Sequence, residues 1–222
     1  MQDWQEQLAQ ALTSVEELAG RFGVDPAPLR ETAARYPLRV TPHYLGMIEA
    51  PGDAIWRQCV PDSAELQDDA RLCADPLAES HHSPVAGVVH RHRDRALLLV
   101  AGACPTLCRF CFRKGRLDTG AFDLPPSQFD EAIAYLEATP QIREVILTGG
   151  EPLLLGDERL GDILAALGRI AHIDLVRIHT RVPVVLPARM TDDLVDLLRG
   201  SAPLYLMIHV NHPRELTAEF AD

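Results

Sequence analysis

Short apolar runs and helix-patterned stretches take turns along the second half of this chain, and that alternation leaves few folds open. Ala96–Val100 (ALLLV) is wholly apolar, as expected of a strand covered on both faces. Glu144–Thr148 (EVILT), Leu175–Ile178 (LVRI) and Leu204–Ile208 (LYLMI) are strand-like too. Between them, Phe129, Ile133 and Leu136 line one face of a predicted helix over Ser127–Ala138, where Ser127 with Asp130 makes a capping-box-like start. Leu160, Ile163, Leu164, Leu167 and Ile170 mark a second helix, and Thr191 is placed to cap a third running through Leu198. Units of roughly 30 residues in this order are the signature of βα repeats on a parallel sheet. The expected class is α/β, a partial (β/α) barrel of about four parallel strands over residues 94–222. So few strands cannot close a barrel, and a parallel sheet stopping after Val210 leaves an apolar edge. The expectation is therefore the N-terminal part of a longer barrel, truncated as supplied.

Residues 1–93 read as a mostly helical lead-in. Leu8, Leu12, Val15 and Leu18 have helical spacing within Trp4–Leu18, and Pro26, Pro28, Pro37 and Pro42 then divide the chain into short pieces.

Composition narrows the function classes. No apolar run approaches the roughly 20 residues of a membrane-spanning helix. The N-terminal MQDWQEQLAQ lacks the basic and apolar regions of a signal peptide, so a cytoplasmic location is expected. A net charge of −11 provides no basic stripe for nucleic-acid phosphates.

The chemically capable residues fall just after the strands, on the rim where α/β barrels place their active sites: Cys104–Cys111, Gly149-Gly150-Glu151, His179 to Arg181, and Asn211-His212. Three of the five cysteines lie in Cys104-Pro-Thr-Leu-Cys108-Arg-Phe-Cys111. Three thiolates on one loop suit an open 4Fe–4S cubane with one iron free of protein ligands. A structural zinc would need a fourth ligand, from His90, His92, Cys59 or Cys73. A ferredoxin-like electron carrier would need a fourth cysteine. Cys59 and Cys73 themselves read as plain buried or free thiols.

The Cys-x3-Cys-x2-Cys spacing, with aromatic Phe110 before its last member, resembles the radical S-adenosylmethionine superfamily. Thr148-Gly149-Gly150-Glu151, a plain turn when taken alone, resembles that superfamily's GGE motif one βα unit later. Ser83–Gly87, Arg91 with Arg95, Thr41–Leu45, Thr139-Pro140, Arg177–Arg189 (RIHTRVPVVLPAR) and His209–Pro213 (HVNHP) narrow the resemblance to the lysine 2,3-aminomutase family, over nearly the whole chain.

The resemblance implies a partial radical S-adenosylmethionine barrel and an isomerase that moves an amino group between adjacent carbons of an amino acid. Its cofactors would be a 4Fe–4S cluster on Cys104, Cys108 and Cys111, S-adenosylmethionine, and pyridoxal 5′-phosphate. Phe110 would pack near the adenine, and Thr148, Gly149, Gly150 and Glu151 would meet the methionyl ammonium. Arg91 and Arg95 would lie in the pyridoxal phosphate region, and Arg113 would clamp the substrate carboxylate. His209, Asn211 and His212 would sit near the cofactors. Rim arginines and histidines of this kind also occur as surface charges or satisfied structural groups.

Implied partners are a small amino acid and a reductant such as flavodoxin or ferredoxin, with self-association left open. A relative that modifies a lysine of a translation factor is the neighbouring reading.

One departure stands out. Such enzymes hold pyridoxal phosphate on a lysine. The only lysine here is Lys114, beside the cysteines, where relatives carry a basic residue of another role. The expectation is that this chain traps no pyridoxal phosphate covalently.

Overall fold

A computed structural model describes residues 3–67, 73–120, 122, 124–201 and 203–221. The lead-in comprises α1 (Asp3–Ala9), α2 (Val15–Phe22), α3 (Pro26–Arg35), α4 (Pro42–Gly46) and α5 (Trp56–Cys59). The apolar spacing from Trp4 to Leu18 does not make one helix. Ser14 caps α2 by accepting from Glu17 N–H at 3.2 Å, and Leu12 instead bridges to Val40.

The rest is a five-stranded sheet in the order β1 (Val88–His92), β2 (Arg95–Ala101), β3 (Glu144–Gly149), β4 (Leu175–Thr180), β5 (Leu204–Ile208). β2 to β5 are parallel, the four strands expected. β1 is an addition: it pairs antiparallel with β2 across a tight turn. Its polar sequence, VVHRH, has no clean alternation to announce a strand, and it falls inside the stretch read as helical.

The crossovers are α6 (Pro126–Glu137), α7 (Asp157–Gly168) and α9 (Asp192–Gly200), with the short α8 (Val182–Val185) after β4 and α10 (Ala218–Ala221) at the end. Thr191 caps α9 as expected, through Leu194 N–H. The capping box expected of Ser127 does not form. Pro125 occupies the N-cap and Pro126 the first turn, where a missing N–H costs nothing.

Alternation sorts the side chains. Ala96, Leu98, Val100, Val145, Leu147, Val176 and Ile178 face α6 and α7 and form the main core with Phe129, Leu136, Leu160, Ile163 and Leu167. Each such side chain contributes about 1.5–3 kcal/mol on burial. On the opposite face lie Leu97, Ile146 and Arg177 in register, then Tyr205 of β5.

A second core joins the lead-in to the barrel. Trp4, Leu18, Val40, Tyr44 and Ile55 pack around Val184, Val185 and Leu186. The apolar stretch after β4 is thus the plug on which the lead-in sits. Among the described residues the sheet is open, with β5 at its edge and Tyr205 60% and Met207 45% exposed. Among the described residues no helix is long and apolar enough to cross a membrane.

Candidate active site

The loop after β2 carries the cysteines and is gripped by the lead-in. Leu107 N–H donates to Arg39 C=O at 3.0 Å, and Arg109 N–H to Gln58 C=O at 2.8 Å. Arg39 donates to Cys104 C=O at 3.1 Å, and Thr41 N–H to Thr106 Oγ1 at 3.3 Å. Arg109, buried between two of the cysteines, forks onto both oxygens of Glu65 and onto the Tyr36 and Pro37 carbonyls. This is how a loop with little regular structure holds three thiols in place.

Burial, then Glu151 and the neighbouring thiols, pushes Cys104 well above the ordinary thiol range. Burial also raises Cys111, with Cys108 adding to it. The three thiols are therefore close enough to feel one another. Among the described residues no three His, Cys, Asp or Glu side chains gather as ligands to a single metal ion. Cys59 is packed in the lead-in core, fully buried and pushed up to about 12 by burial with Cys108 adding to it, and Cys73 is exposed. His90 bonds Tyr135 at 2.7 Å.

The GGE turn after β3 is fitted to the same loop. A Cβ on Gly150 would lie 2.4 Å from Ala103 O, and one on Gly149, where φ is +117°, 2.8 Å from Ala101 O. Gly150 and Glu151 N–H donate to Ala101 and Ala103 C=O at 2.6 and 2.8 Å. The glycines admit a close backbone approach, and what approaches is the segment leading into Cys104.

Glu151 is 5% exposed, and its carboxylate is turned inward. It accepts from Leu153 N–H (3.1 Å), Thr180 Oγ1 (2.7 Å) and Arg181 N–H (2.9 Å). Burial lifts it to about 7 against those bonds. In this structure the side chain assigned from sequence to the methionyl ammonium bonds the protein itself, tying the β3 rim to the β4 rim.

Phe110 stands 51% exposed on the rim, edge-on to His209 with ring centroids 5.6 Å apart. Asn211 reaches back to Gln58 at 2.9 Å. His212 accepts from Arg214 N–H in a capping box with Glu215. That His-x-x-Glu spacing was legible and was missed.

Arg113 is buried and forked onto both oxygens of Glu79, with its guanidinium 4.7 Å over Phe112. A carboxylate therefore already fills the geometry expected for a substrate's. Glu79 lines a cleft of about 300 Å³ with Arg91, His92, Arg95, Arg177 and His179, on the sheet face opposite α6. Among the described residues Arg91 makes a 3.3 Å contact to Leu77 C=O. Arg95 Nε, buried and without a hydrogen bond, has a 3.5 Å contact to Asp94. Burial and then Arg177 lower the His179 pKa, with Arg113 adding to it.

Lys114 is not in that cleft. It binds Glu65 and the Arg109 carbonyl, with its Nζ 4.5 Å from the centroid of the Tyr36 ring.

Residues 98–221 match the family model of the Radical SAM superfamily. The chain is 38% identical over 222 residues to L-lysine 2,3-aminomutase of Clostridium subterminale, covering 98% of this chain and 53% of that protein. It is 34% identical over 231 residues to L-lysine 2,3-aminomutase of Escherichia coli K12, covering 99% and 66%. With glutamate 2,3-aminomutase of Clostridioides difficile the identity is 30% over 226 residues, covering 98% and 53%. The chain spans about half the length of the first and last of these relatives.

Proposed function

This chain belongs to the radical S-adenosylmethionine superfamily and, within it, to the lysine 2,3-aminomutase family, and on that footing we propose that it serves a 1,2-amino migration on an amino acid. In this reading Cys104, Cys108 and Cys111 hold a 4Fe–4S cluster and the surrounding rim binds S-adenosylmethionine. The single observation that supports it most is the half-buried trio of thiols at the mouth of β2, on a loop held by the lead-in on one side and by the GGE turn on the other. Cys104 and Cys111, raised by burial, ionise when cationic iron arrives, because a coordinating thiol is deprotonated outright.

Each cofactor has a place in the reading. Phe110 and His209 give an exposed aromatic surface of the kind on which an adenine packs. Arg91 and Arg95 carry guanidinium groups that suit a phosphate, and Arg95 Nε has no hydrogen bond among the described residues beyond its 3.5 Å ion-pair contact to Asp94. Lys114, held by Glu65, does not fit as the anchor of pyridoxal phosphate, and what the cleft is assigned is the phosphate. When bound, the cluster with S-adenosylmethionine supplies the radical that abstracts hydrogen, and pyridoxal phosphate carries the migrating nitrogen. The protein's own part is to orient them and exclude water. The substrate is an amino acid whose carboxylate would exchange with Glu79 on Arg113, and the electron comes from a low-potential protein donor.

The test is anaerobic reconstitution of the chain with iron and sulfide. A brown chromophore with about four irons per chain is expected. It should be lost in Cys108→Ala and kept in Cys59→Ala. With dithionite and S-adenosylmethionine the reconstituted chain should release 5′-deoxyadenosine. Full iron content in Cys108→Ala overturns the assignment.

A further inference from the structure

Arg181 is the point where the rim converges. Its Nη1 donates to Cys108 Sγ at 2.9 Å. Its Nη2 meets Tyr44 Oη at 2.8 Å, Glu215 Oε1 at 2.7 Å and Gln58 Oε1. Its backbone N–H is the one that Glu151 accepts. The guanidinium sits 5.1 Å from the Tyr44 ring and 5.5 Å from the Phe110 ring. Residue and partners are buried: Arg181 is 7% exposed, Tyr44 and Glu215 0% and Gln58 8%. Segments far apart in sequence, from α4, α5, the β4 end and the turn after β5, all contribute a partner to this one side chain.

The geometry leaves the guanidinium little freedom. A planar fork held on Nη2 from three sides has its remaining direction fixed, and that direction ends on a cysteine sulfur. Tyr44 donates its own proton to Glu215 at 2.8 Å, so its oxygen is free to accept from Arg181. Glu215 is held below the usual carboxylate range: burial pushes it up, and the Asn211 N–H, the Tyr44 hydroxyl and Arg181 together outweigh that. The ion pair offsets much of the long-range field of Arg181, since the two opposite charges are 2.7 Å apart. What survives the cancellation is local and directional, the N–H to the sulfur.

We infer that Arg181 is the positioning residue of the cluster: it fixes the Cys108 sulfur and, through that hydrogen bond, raises the reduction potential of the cluster that the sulfur holds. This rests on the cluster reading above. Hydrogen bonds to ligand sulfurs and nearby net charge are among the levers that set such potentials. Reduction adds one electron from an external donor and makes the cluster more negative, so a donor on a ligand sulfur favours the reduced form.

The experiment is an EPR-monitored redox titration of the full reconstituted chain, using dithionite and mediators, with S-adenosylmethionine left out. Arg181→Gln keeps a polar side chain but loses the charge and the fork. It should lower the midpoint by about 59 mV, a tenfold change for a one-electron couple. Arg181→Lys, which keeps the charge, should recover part of the shift. Tyr44→Phe removes one support of the guanidinium with little change of shape and should move the potential less, in the same direction. It also keeps the test decisive if Arg181→Gln fails to fold. An Arg181→Gln chain that melts like the parent yet takes up no cluster supports the positioning role. Midpoints in Arg181→Gln and Tyr44→Phe equal to the parent's overturn the inference while leaving the cluster reading standing. A parent chain that takes up no cluster overturns both.

Discussion

The segment Arg181–Arg189 has a buried arginine at each end, and the two do different things. Arg181 is 7% exposed and Arg189 0%. Each pairs with a carboxylate, Glu215 at 2.7 Å and Asp157 at 2.6 Å. Each lies over an aromatic ring, and each keeps one buried nitrogen without a hydrogen-bond partner among the described residues. By burial, charge pairing and ring contact they are twins.

Their remaining partners separate them. Arg189 donates to the Leu153 and Leu155 carbonyls at 2.8 and 3.0 Å and stacks on Trp4, so it closes the turn before α7 and seats α1. Arg181 donates to a cysteine sulfur. A buried, paired arginine therefore does not by itself mark a site. The chemistry at the far end of its hydrogen bonds does.

The sharpest way to break this contrast is Arg189→Ala. It removes the donor from the buried Leu153 carbonyl and the partly buried Leu155 carbonyl and opens a void against Trp4, and should cost about 3–5 kcal/mol of unfolding free energy in urea. The cluster potential of whatever folds should stay at the parent value. A shift matching that of Arg181→Gln would show that the two arginines belong to one electrostatic system.

A smaller effect separates the two ends by pH. Glu151 braces the Arg181 end and carries a pKa of about 7 against an ordinary 4.5. Between those values the native chain binds a proton that the unfolded chain has released. Stability from this group is thus full below about pH 4.5 and is lost as pH rises through about 7, by a total on the order of 3 kcal/mol. Denaturant midpoints of the chain without cluster should fall across that range, and Glu151→Gln should flatten the fall. An unchanged slope in Glu151→Gln removes the carboxylate from the account.

What was legible in sequence was local. Apolar runs such as ALLLV and the crossover helices follow from period and burial, and the cysteine trio follows from spacing. The illegible parts needed the fold. β1 is polar and pairs only because its neighbour supplies a strand edge. The partners of Arg181 lie 123 and 137 residues away in Gln58 and Tyr44, and that of Arg113 lies 34 away in Glu79. The GGE turn was legible as a motif, but sequence could not say that the backbone of Ala103 packs against its glycines.

The last test is the gentlest, and it asks which contacts carry the Arg189 end. Asp157 begins α7 and is 30% exposed in its side chain, so water screens its pair with Arg189. A carboxylate there gains from the helix N-terminus as well as from the guanidinium, each modestly. Asp157→Asn keeps an oxygen that can still accept from Arg189 and removes only the charge. The expected loss is about 0.5–1 kcal/mol, read from the urea midpoint. Glu215→Gln at the other end should cost more, because Glu215 is wholly buried and shares one oxygen between Arg181 and Tyr44. If Asp157→Asn proves as costly as Arg189→Ala, the ion pair and not the backbone carbonyls holds that end. The two arginines would then differ less than their partners suggest.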